Sequence, residues 1–152
     1  MWQVSLEEIY DVAFENTPKL LPYELLSMEQ VVKNMFSEEE DLTEMEQIFD
    51  FENENAMYVL SNTSKLNGAA AILYPDILKD FAKSCGCDLY ILPSSIHEVI
   101  LVPAKGKGDI EGLNEMVQDV NATQVEPEEV LSDHVYLFDQ KSAQVSSAPM
   151  EV

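Results

Sequence analysis

The sequence predicts an α+β fold: an N-terminal helical hairpin, then a strand–helix–strand–strand–helix–strand unit in ferredoxin-like order on an antiparallel sheet. Three observations carry this. Apolar residues recur at helical spacing through the first 36 residues, behind two capping boxes. From residue 56 onward, runs of strand formers alternate with helical stripes. Two uninterrupted apolar runs, Leu89 to Leu92 and Val99 to Val102, lie close enough for a hairpin, and each stops at a proline, Pro93 and Pro103.

The first helix opens at Ser5, with Glu8 completing the S-x-x-E box. Leu6, Ile9, Tyr10, Ala13 and Phe14 form its apolar face, and Asn16, Thr17 and Pro18 mark its expected end. Leu20, Leu21 and Pro22 read as a connector. Ser27 and Gln30 open a second helix with Met28, Val31, Val32 and Met35 inward. Residues 37–54 hold nine acids and no base, which favours hydration over packing, so a solvated linker is expected there.

Beyond the linker, AMYVLS (56–61) reads as a strand and Asn67-Gly68 as a turn. Residues 69–74 suit either strand or helix. Pro75 and Asp76 precede a helix with Ile77, Leu78, Phe81, Ala82 and Cys85 as its stripe and Gly86 as a left-handed cap. The two apolar runs lack strict alternation, which implies cover on both faces. After the loop Lys105 to Gly108, Asp109 caps a helix whose stripe is Ile110, Leu113, Met116, Val117 and Val120. One helical turn over Glu126 to Leu131 precedes a last strand at 134–138. The expected divisions are 1–36 (helical hairpin), 37–55 (acidic linker), 56–140 (α+β domain) and 141–152 (flexible tail).

Charge narrows the function classes. In 152 residues, 29 acids against 8 bases give −21. Such a surface repels DNA, RNA and anionic membranes and suits a basic protein partner. Cys85 and Cys87 are too few for a disulfide framework and read as reduced thiols, which points to the cytoplasm. The chain lacks an apolar run of the roughly 20 residues that span a bilayer, so no membrane contact is expected. Cofactor motifs are also lacking, and none is expected.

The segment PSSIHE (93–98) carries the residue types of nucleophilic catalysis. Ser94 or Ser95 with His97 and Glu98 would supply nucleophile, base and orienting acid. Adjacent residues on an extended chain point to opposite faces, and a G-x-S-x-G elbow is missing. A turn between strands is therefore the reading adopted. A metal set of His97, Glu98, Asp133 and His134 lacks a standard ligand spacing. Lys105 to Gly108 lacks the full phosphate-loop pattern.

The strings MYVLSN, NGAAAILYP, LYILPSSIHEVILVP and NATQVEPEEVLSD, with VSLEEIYDVAFENTPKLLP before them, resemble a domain-of-unknown-function family from gut-dwelling Gram-positive bacteria. The chain is similar to the C-terminal half of longer members. The family brings no assigned activity. A more distant likeness, to another uncharacterised bacterial family, sets PSSIHEV against a loop without those serines.

The function expected is thus a non-enzymatic cytoplasmic protein-interaction domain. Its candidate contact surface is Ser94, Ser95, His97 and Glu98, with Asn121, Thr123 and Gln124. The alternatives are an acidic nucleic-acid mimic that fills the groove of a basic DNA-handling protein, and a hydrolase centred on Ser95 and His97.

Overall fold

Helix α1 (Leu6–Leu20) starts where the capping box places it. The Glu8 amide donates to Ser5 Oγ at 3.1 Å and the Ser5 amide to Glu8 Oε2 at 3.0 Å. The computed structural model describes residues 3–27, 30–31, 57–93, 95–104, 110–123 and 125–148. The acidic stretch 37–54, the loop 105–108, the Asp109 cap, Ser94, Gln124, and Met28, Val32 and Met35 of the expected second helix lie outside them. The helix overruns its expected stop by a turn: it passes through Pro18, losing one rung of its ladder, and the Leu21 amide still reaches the Thr17 carbonyl at 2.8 Å.

Between the expected connector Leu20 to Pro22 and the second capping box, where a helical hairpin was expected to turn, residues Tyr23–Ser27 form strand β1. Leu25 pairs with Leu60 of β2 (Tyr58–Asn62) and packs on the core. Pairing with β2 outweighs the weak local signal of a five-residue run that contains a glutamate. The second capping box forms as expected, with the Gln30 amide 3.2 Å from Ser27 Oγ and the Ser27 amide 3.1 Å from Gln30 Oε1.

The ambiguous segment after Asn67 is a 3-10 helix, η1 (Gly68–Leu73). Gly68 is dictated by space. A Cβ there would run into Ser61 Oγ, the His97 carbonyl and the Asn62 amide. Helix α2 (Ile77–Cys85) follows and ends at Gly86 with φ 73°, the left-handed cap foreseen. Strands β3 (Leu89–Leu92) and β4 (Val99–Pro103) make the antiparallel hairpin. Helix α3 (Ile110–Thr123), a single 3-10 turn η2 (Pro127–Glu129) and β5 (Tyr136–Asp139) complete the expected series. Within α3, Val117 is buried as expected, whereas Met116 is exposed and Asn114 is buried in its place, where it accepts the Val135 amide at 2.8 Å.

Residues expected as a frayed tail instead form β6 (Gln144–Ser147), paired with β5 along its length. The turn into it is organised by Asp139, whose carboxylate accepts the Lys141 amide at 2.9 Å and whose carbonyl accepts the Ala143 amide at 2.8 Å. Ala148 then buries itself and donates to the Val135 carbonyl.

The six strands among the described residues form one antiparallel sheet in the order β1-β2-β4-β3-β5-β6. The α+β class and the antiparallel sheet match the expectation, but the strand order departs from the ferredoxin-like one. In that order the last strand would lie beside β2. Here β1 holds that edge, and β5 pairs with β3 on the other side. This has a consequence for the helices. The crossovers β2-to-β3 and β4-to-β5 step the same way across the sheet but leave strands of opposite sense. Connections of one hand must then land on opposite faces.

The core agrees. Leu60, Leu89, Ile91, Val99 and Leu101 face α2 and η1, while Tyr90, Leu92, Val102 and Val135 face α3. The apolar runs of β3 and β4 are covered on both sides, as their lack of alternation implied. Among the described residues no helix is long and apolar enough to cross a membrane.

Candidate functional site

The turn between β3 and β4 is held from three directions. The Ala69 amide donates to the Ile96 carbonyl at 3.1 Å, and Ser61 Oγ donates to the His97 carbonyl at 2.7 Å. From the other side, the Ile96 amide reaches the Glu129 carbonyl at 2.9 Å and Ser95 bridges Val130. Ser95 Oγ accepts the His97 amide at 3.1 Å, the local bond of a serine turn.

The imidazole of His97 is occupied at both nitrogens. Nδ1 accepts the Asn67 amide at 3.1 Å, so the ring proton resides on Nε2, which donates to Glu129 Oε1 at 3.1 Å. A base for Ser95 would need a free ring nitrogen aimed at its hydroxyl. The geometry supplies a brace between three segments, and the hydrolase reading on Ser95 and His97 gains no support from it. Glu98 is exposed.

The other half of the candidate surface meets this turn through Ser132. The Ser132 amide donates to the Pro93 carbonyl at 3.0 Å, and Asn121 Nδ2 donates to the Ser132 carbonyl at 2.8 Å. Asn121 Oδ1 is buried without a hydrogen-bond partner among the described residues. Thr123 Oγ1 turns back to the Asp119 carbonyl at 2.6 Å, a bond within its own helix.

A second polar cluster surrounds His134. Its Nδ1 lies 3.1 Å from Asp133 Oδ1 and 3.3 Å from Ser132 Oγ, and its Nε2 lies 3.4 Å from Ser147 Oγ. The ring packs on Tyr136, centroids 4.5 Å apart, and the Tyr136 hydroxyl is 3.3 Å from Ser132 Oγ. The His134 hydrogen bond, with a smaller contribution from a backbone amide, holds the Asp133 carboxyl below its usual range. Reading the sequence as a frayed tail beyond residue 140 hid this cluster, because Ser147 reaches it only through β6. The string SDHVY was the available signal. His97 and His134 thus belong to separate networks, and among the described residues there is no group of three or more metal-ligating side chains placed to hold an ion.

Helix α1 presents a third feature. It buries no residue fully, and Leu6, Ile9, Tyr10, Val12 and Phe14 are between 41% and 84% exposed. Its contact with the body runs past a groove of about 140 Å³ lined by Tyr10, Ala13, Phe14, Leu73 and Tyr74. The Tyr74 hydroxyl fastens the junction by donating to the Leu21 carbonyl at 2.7 Å.

In comparison with known proteins, residues 1–140 match the model of a family described as a family of unknown function (DUF5688). No curated protein matches the chain, and no solved structure does.

Proposed function

The chain belongs to that family of unknown function, and from its own geometry we propose that it is a non-enzymatic cytoplasmic protein-interaction domain whose contact face is the apolar side of α1. The observation that carries this reading is the exposure of Ile9, Tyr10 and Phe14 beside Glu7, Glu8 and Asp11. Contiguous apolar area rimmed by charge is characteristic of a contact surface. An acidic rim on a chain of net charge −21 selects a basic, amphipathic segment, which would lay its apolar face into the groove beside η1. Neither Cys85 nor Cys87 is in a disulfide among the described residues, which fits a reducing compartment.

A synthetic amphipathic helix of leucine and lysine, titrated by fluorescence anisotropy, tests the proposal. Binding should weaken as salt rises and fall at least tenfold in the double variant Ile9→Asp, Phe14→Asp. Charge alone predicts the reverse, because the variant adds two acids. A variant that holds the peptide as tightly as the parent removes α1 from consideration.

A further inference from the structure

A second cavity, which like the α1 groove borders on η1, is not used by the contact face. About 250 Å³ lies between η1, the end of β3 and the β5–β6 hairpin, walled by Ile72, Ile91, Pro93, Leu131 and Val145. Leu131 and Val145 at its mouth are 44% and 46% exposed. An apolar cavity of about 150 Å³ accommodates benzene, so this one has room for a single ring with a short substituent.

Its one polar wall is the pair Ser132 and Tyr136. Asp133 only accepts, so the 3.1 Å bond places the His134 proton on Nδ1. That nitrogen therefore cannot accept from Ser132. The two hydroxyls share one bond of 3.3 Å yet hold two protons. Among the described residues one O–H is left over, and the wall offers a donor. Asp133 stands next in the chain on a molecule of net charge −21, which disfavours a carboxylate ligand.

We propose that this cavity binds a small neutral apolar molecule bearing one oxygen acceptor, such as an aryl or short-alkyl ketone or ester, with the leftover hydroxyl of the Ser132–Tyr136 pair donating to that oxygen. A hydrophobic body with one oriented polar group matches how such pockets select ligands.

The probes are acetophenone, ethylbenzene and benzoate, titrated against the methyl-labelled protein by NMR. Acetophenone should shift the methyls of Ile72, Ile91, Leu131 and Val145 and saturate in the millimolar range. Ethylbenzene should bind several-fold more weakly, and benzoate should leave those methyls unmoved. The double variant Ser132→Ala, Tyr136→Phe should bring acetophenone down to the ethylbenzene level. Val145→Trp, on an exposed edge strand, should block the mouth and abolish both. Saturable shifts absent with acetophenone, equal binding of benzoate, or shifts confined to the α1 groove would each overturn the assignment.

Discussion

The Nε2–H of His97 meets Glu129 Oε1 at 3.1 Å, joining residues 32 positions apart, while the same ring accepts the Asn67 amide through Nδ1. The β3–β4 turn is thereby fixed to η1 on one side and η2 on the other. Ser95 Oγ and His97 Nδ1 each accept a backbone amide there. The His97 side chain adds two bonds to the backbone bonds Ala69–Ile96 and Ile96–Glu129 that already join the same three segments.

Replacing His97 with alanine should therefore lower stability by about 1–3 kcal/mol, since two bonds vanish and the Asn67 amide loses its acceptor. Glu129→Gln keeps an oxygen acceptor for the Nε2–H and should cost clearly less than Glu129→Leu. Urea midpoints of the three variants decide the matter. Equal losses for the two Glu129 variants would show that this bond does not brace the turn.

Gly68 should tolerate no side chain. A Cβ at that position would press on Ser61 Oγ, on the His97 carbonyl oxygen and on the Asn62 backbone nitrogen, two of which are backbone atoms that cannot swing away. Gly68→Ala is expected to cost about 3 kcal/mol, at the upper end of overpacking changes.

Gly86 offers the contrast. It has open space around it, so only its φ of 73° matters, and Gly86→Ala should cost about 1–2 kcal/mol. Its cap is also closed by the Cys87 amide bonding to the Ala82 carbonyl at 3.3 Å. Thermal unfolding of the two alanine variants side by side separates collision from backbone conformation. If Gly86→Ala proves the more harmful, the space argument at Gly68 fails.

The Asp133 carboxyl should titrate upward when His134 is replaced by asparagine. In the folded chain the His134 bond holds it below its ordinary value, with a backbone amide as the lesser cause. A depressed folded value means stability that is present above the unfolded pKa of about 4 and is lost as pH falls through the folded one. Side-chain carbonyl shifts followed by NMR between neutral and acid pH should show the midpoint rising most of the way to normal. An unmoved midpoint would assign the shift to the backbone bond alone.

Elements whose causes are local were legible in the sequence. The Ser5–Glu8 and Ser27–Gln30 boxes, the Gly86 cap and the doubly covered strands at Leu89 and Val99 all formed as their residues dictate. The two edge strands were not legible. Tyr23–Ser27 and Gln144–Ser147 owe their shape to partners, and an edge strand buries too little to impose a hydrophobic pattern on itself; all four residues of β6 are exposed. Topology failed with them, because β1 occupies the place that a ferredoxin-like order reserves for the last strand. Within the site, the turn character of residues 93–98 was readable from Pro93 and the serines. The partners of His97 and His134 were not, since Glu129 and Ser147 approach only in three dimensions.

Two covered faces have a measurable consequence. Leu101 faces α2 and η1, Leu92 faces α3, and both are essentially inaccessible, at 0% and 1%. Each leucine truncated to alanine should cost about 2–5 kcal/mol, because both leave a cavity in a packed layer. In a two-layer ferredoxin-like sandwich only one of these faces would be covered by helices, and truncation on the other would cost well under the lower figure. Urea unfolding with an unchanged slope makes the comparison clean. Comparable losses at Leu92 and Leu101 require helices on both sides of the sheet, and a near-neutral Leu92→Ala would leave α3 without its place on the second face.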